Sequence, residues 1–129
     1  METVAEMGNR ALSELGACLA RIDEKPVANL IEIIASAKRI CIYACGREGL
    51  MMRALCMRLY HLGLDVHMVG DMTTPPVGPG DLLLVSAGPG NISTVQALIG
   101  QARRAGAKTA CFTAEPGSPV TEACDFAFV

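Results

Sequence analysis

Two glycine turns constrain this chain more than any other feature. The first lies in Ile40-Cys41-Ile42-Tyr43-Ala44-Cys45-Gly46-Arg47-Glu48-Gly49-Leu50, the second in Asp81-Leu82-Leu83-Leu84-Val85-Ser86-Ala87-Gly88-Pro89-Gly90-Asn91-Ile92-Ser93. Each follows an apolar run and precedes a helical pattern. A strand that ends in such a turn and opens a helix directs backbone N–H groups at an anion. Two of them in 129 residues point to an α/β fold and to a small phosphorylated ligand.

The rest of the chain reads as alternating strands and helices. Val4, Met7, Ala11, Leu12, Leu15, Leu19 and Ile22 recur at helical spacing over residues 3–21. Residues 26–37 repeat the pattern, with Pro26 suited to a first turn. A continuous apolar run predicts a strand over 40–45, and further strands are read over 65–70, 82–86, 108–113 and 125–129. Helices are expected over 47–62 and 93–105, and a short one over 118–124 with Ser118 as N-cap and Pro119 next. The segment Thr73–Gly80 is rich in Pro and Gly and reads as a loop. The helix over 47–62 is apolar on most sides, so burial by more than its own sheet is expected. The alternation implies a parallel sheet with right-handed crossovers, whose ligand crevice lies at the carboxyl ends of the strands.

Composition narrows the function. The length suits one domain. Half the residues are apolar and mean hydropathy is +0.37, an excess expected to be shared between sheet strands and an oligomer interface. No apolar run approaches the ~20 residues of a membrane span. Net charge is −2, with 11 basic and 13 acidic residues intermixed and only five aromatics, which argues against nucleic acid. The N-terminus has neither a signal-peptide nor a transit-peptide pattern. Cys41 and Cys45 are four apart, outside the zinc or redox spacing, and are expected on one buried strand face. The six cysteines read as free thiols of a reducing, cytoplasmic setting. Two histidines without paired spacing argue against a metal site, and Gly46-Arg47-Glu48-Gly49 lacks the dinucleotide-binding spacing.

The runs Gly46-Arg47-Glu48-Gly49-Leu50, Met57-Arg58-Leu59-Tyr60-His61-Leu62-Gly63, Val69-Gly70-Asp71-Met72-Thr73-Thr74-Pro75 and Gly80-Asp81-Leu82-Leu83 together resemble a sugar isomerase (SIS) domain, and within it the 6-phospho-3-hexuloisomerase branch. The resemblance implies an α/β fold: a single SIS domain over 1–129, a flavodoxin-like three-layer sandwich with a five-stranded parallel sheet. Helices would occupy 1–38 and the α/β core 39–129. It implies homodimers or homotetramers with sites at subunit contacts. It also implies interconversion of 3-hexulose 6-phosphate and fructose 6-phosphate without a cofactor.

The departures fall in the turns. Glu48 stands where the family reads the serine of Gly-Arg-Ser-Gly. Ala87-Gly88-Pro89-Gly90-Asn91-Ile92 stands where it reads Ser-Gly-Ser-Gly-Glu-Thr. Pro89 also removes a backbone donor. No residue up to Val129 matches the family's glutamate beyond the fifth strand, so the family's C-terminal helix is expected to be absent. A second function class follows, a non-catalytic SIS module acting in regulation or assembly.

Several residues therefore carry two readings. Glu48 is a helix N-terminal charge, a block on the anion site, or a replacement general base. Arg47 is a solvated cation or a phosphate clamp. His61 is a packing residue or, by the resemblance, a proton-transfer group. Thr73 and Thr74 are loop residues or line the substrate. Gly46, Gly49, Gly88 and Gly90, with Ser86, Asn91, Ser93 and Thr94, are the expected substrate-binding set. His67 reads as structural, and Met51, Met52 and Met57 as core or interface.

Overall fold

A computed structural model of the chain describes all 129 residues. Two compact units divide it, Met1–Ile31 and Glu32–Val129. In the first, Thr3 and Glu6 cap the helix α1 (Val4–Leu19) reciprocally, each side chain accepting from the other's backbone. Helix α2 (Glu24–Ser36) begins in the first unit, with Pro26 in its first turn.

In the second unit the apolar runs become β1 (Ile40–Ala44), β2 (Val66–Met68), β3 (Leu82–Ser86), β4 (Lys108–Phe112) and β5 (Phe126–Phe128). Helix α3 (Gly46–His61) follows β1, α4 (Ser93–Arg104) follows β3, and α5 (Pro119–Ala123) follows β4. The five strands are parallel in the order β2-β1-β3-β4-β5. Ile40 pairs with Leu82, and Leu82 with Lys108.

Alternation then sorts the core. Cys41, Leu83, Val85 and Cys111 point to the face covered by Val95, Ile99 and Ala102 of α4 and Val120 of α5. Ile40, Ile42, Leu82 and Leu84 point the other way and are fully buried, on the side where α3 packs over β1 and β2. The chain leaves β1 in one direction and β3 in the other, so right-handed crossovers put α3 and α4 on opposite faces. The crevice of such a sheet opens where β1 and β3 end.

One expectation needs correction. Cys45 is exposed rather than buried beside Cys41, because β1 ends at Ala44 and Gly46, with φ of +55°, already opens α3. The outer side of α3 is bare: Gly49, Met52 and Leu59 are buried, whereas Leu50, Met51, Met57 and Leu62 are exposed.

Candidate functional site

Both turns sit at the carboxyl ends of adjacent strands. Gly49 lets α3 start tight against β1, since a Cβ there would stand 2.8 Å from the Ala44 carbonyl oxygen. The first turn of α3 carries Arg47 outward and Glu48 inward. Arg47 is exposed and takes part in no ion pair of the structure.

The Glu48 carboxylate is turned toward the second turn. Ser86 Oγ donates to its Oε2, and the Gly88 N–H donates to Oε1 and Oε2, each at 3.0 Å. A Cβ on Gly88 would lie 2.8 Å from Oε1, so a side chain there would push the Glu48 carboxylate aside. No cation pairs with Glu48. Its charge is held by neutral donors alone.

The second turn is fastened to β4 and α5. Ala87 N–H donates to Phe112 O at 2.9 Å, Ala114 N–H to Gly88 O at 3.1 Å, and Val120 N–H to Gly90 O at 3.2 Å. Beyond it, α4 begins without a side-chain cap. Its N-cap residue is Ile92, and its first turn holds no acidic residue. The first N–H groups of a helix have no partner within it. Ser93 and Thr94 are exposed at this end, and Asn91 Oδ1 accepts from Gln96 Nε2 at 3.0 Å. Uncapped N–H groups and the helix dipole make this end of α4 the one best suited to an anion.

The structure thus brings Gly46, Glu48, Gly49, Ser86, Gly88, Gly90, Asn91, Ser93 and Thr94 to one end of β1 and β3. It sets His61 apart. Glu48 and His61 are thirteen residues apart on α3, about 20 Å at the helical rise. Exposed Thr73 lies in the loop after β2. Thr74 donates to Met68 O and lines a cavity of about 250 Å³ with Cys41, Asp71, Val77, Leu83 and Gln101. No residue of either glycine turn lines that cavity.

Sequence reading singled out Ser118 only as a cap. It does accept from Thr121 N–H, and it also packs against Gly90. It also passed over Tyr43, whose hydroxyl meets Cys45 Sγ at 3.4 Å; that contact is the main influence raising the Tyr43 phenol above its ordinary range. A tyrosine two residues before a cysteine at a strand's end was the available signal. His67 stays with structure, its Nε2 sharing a hydrogen bond of 2.7 Å with Asp65 Oδ1. No three His, Cys, Asp or Glu side chains cluster as a metal site, and no helix is long and apolar enough to cross a membrane.

Comparison with known proteins places the chain in a family. A family model described as SIS domain matches residues 33–129. The 3-hexulose-6-phosphate isomerase of Mycobacterium gastri is 42% identical over 87% of this chain and 56% of its own length. That of Bacillus subtilis strain 168 is 32% identical over 96% of this chain and 65% of its own. A hypothetical protein of Methanococcus jannaschii, whose crystal structure is described as inferring a 3-hexulose-6-phosphate isomerase, superposes with a TM-score of 0.77. It is 32% identical, over 81% of this chain and 59% of that one. The chain therefore spans between 56% and 65% of the length of these relatives.

Proposed function

We propose, from the premise that this chain belongs to the SIS domain family, that it binds a sugar phosphate and serves in isomerisation of the 6-phospho-3-hexuloisomerase type. The uncapped start of α4, directly after the Ser86–Gly90 turn, carries this reading. The phosphate sits on the N–H groups and hydroxyls of Ser93 and Thr94, with Asn91 alongside and Arg47 available as a clamp. Gly46, Gly49, Gly88 and Gly90 let the backbone approach. Thr73 and Thr74 are assigned to the wall near the sugar.

Interconverting a 3-ketose and a 2-ketose moves a proton between C2 and C3 through an enediol, so an acid and a base suffice and no cofactor is required. Glu48 is the candidate base within the site. His61, about 20 Å away along α3, is assigned to a site on another copy of the chain, as a homodimer or homotetramer would allow. The exposed Leu50, Met51, Met57 and Leu62 of α3 support such a contact. In this reading residues 1–38 are the helical arm and 39–129 the core of one domain. Six free thiols fit a cytoplasmic setting.

The test is fructose 6-phosphate incubated with the protein in D2O and followed by proton NMR. Catalysis by enediol formation washes out the C3 proton. Binding without exchange supports the second reading, a non-catalytic SIS module, which the capture of Gly88 by Glu48 favours. No binding and no exchange contradicts the sugar-phosphate reading and leaves a module whose phosphate site is degraded.

A further inference from the structure

We propose that Glu48 is a built-in competitor for the ligand's anionic group, and so determines which ligands the site accepts; this rests on the sugar-phosphate reading above. Three observations carry it. The Ser86 hydroxyl and the Gly88 N–H, donors of the kind that hold phosphate oxygens in glycine turns, are both engaged by the Glu48 carboxylate. Gly88 packs directly on Oε1, so the carboxylate fills the space beside the turn. Finally, the carboxylate has no cationic partner, so no ion pair anchors it against displacement by a second anion.

Forty residues separate Glu48 from Gly88, so the fold itself delivers the carboxylate to these donors. An arriving phosphate has two outcomes. It turns Glu48 out and takes Ser86 and Gly88, or it settles on the α4 amides beside a like charge. Either way affinity for a doubly charged phosphate is held down. A ligand presenting a neutral hydroxyl to Glu48 gains an acceptor instead. Glu48 thereby disfavours free inorganic phosphate relative to a phosphosugar whose hydroxyl reaches it.

The experiment is a titration of the wild-type chain, Glu48→Ser and Glu48→Gln with inorganic phosphate and with fructose 6-phosphate, followed by backbone amide NMR. Freeing two donors and removing the charge should tighten phosphate by about tenfold or more in Glu48→Ser. Glu48→Gln keeps the size of the side chain and should tighten phosphate as well, which covers the case of a poorly folded serine variant. The Gly88 amide should respond to phosphate in both variants. Equal phosphate affinity in all three proteins, or a Gly88 amide unmoved in both variants while their Ser93 and Thr94 amides shift, overturns the competitor while leaving the sugar-phosphate site in place. If neither the wild type nor a variant binds either ligand, the sugar-phosphate reading falls and the competitor with it.

Discussion

Gly90 lies against Ser118: a Cβ on Gly90 would stand 2.4 Å from the serine Cβ, at a backbone φ of +70°. Gly117 has a similar φ of +68° but open space around it. The pair separates backbone strain from crowding. Gly117→Ala should cost about 1–2 kcal/mol, the penalty of a left-handed alanine. Gly90→Ala adds a clash with Ser118 and Glu115 and should cost about 1–3 kcal/mol beyond that. Urea unfolding of both variants checks the order.

Asp125 fastens the start of β5 to β4. Its Oδ2 accepts from the N–H and the hydroxyl of Thr109, each at 2.8 Å, and Thr109 is fully buried. Asp125→Ala leaves two buried donors unpaired and should destabilise by about 1–3 kcal/mol. Asp125→Asn keeps an acceptor oxygen and should lose less. Denaturant midpoints of the two variants test this.

The Asp65 carboxyl is held below its ordinary value of 3.8, first by the hydrogen bond from His67 and also by the Arg39 guanidinium at 2.9 Å. A depressed carboxylate adds stability above its unfolded pKa and loses it as pH falls through the folded one. Wild type should therefore exceed Asp65→Asn in stability near neutral pH. The gap should close as pH falls below about 3.8, the value set by linkage. Unfolding midpoints measured down this pH range test the sign.

The six thiols should differ in reactivity. Cys18 and Cys45 are exposed, whereas Cys41 and Cys111 are buried. Burial pushes the Cys41 thiol up to about 11. A shared hydrogen bond with Cys111, then burial, pushes Cys124 up as well. The thiolate is the nucleophile, so iodoacetamide should label Cys18 and Cys45 first in the native protein and all six after unfolding. Peptide mapping of timed reactions reads the order.

The architecture was legible because both signals it needs are local. Apolar-rich segments between helical patterns marked the strands, and glycine turns marked where β1 and β3 hand over to helices. The bounds of β2 were not legible, since nothing in Asp65–Gly70 marks where pairing stops, and this edge strand pairs only where β1 meets it, at Val66–Met68. Cys45 was misplaced because the strand period says nothing of where Gly46 ends it. The outward apolar residues of α3 could not be told from its buried ones, because periodicity alone does not say which stripe meets the sheet. In the site, the residue types and their end of the sheet were readable. The direction of the Glu48 carboxylate was not: it depends on a contact across forty residues of chain. The separation of Glu48 and His61 follows from helix length alone, and was within reach of the sequence.

The most direct measurement is a crystal structure of the chain with fructose 6-phosphate. The account predicts the phosphate on the Ser93 and Thr94 amides at the start of α4, beside the Ser86–Gly90 turn. A phosphate lodged elsewhere, as in the cavity lined by Asp71, Thr74 and Gln101, would contradict it.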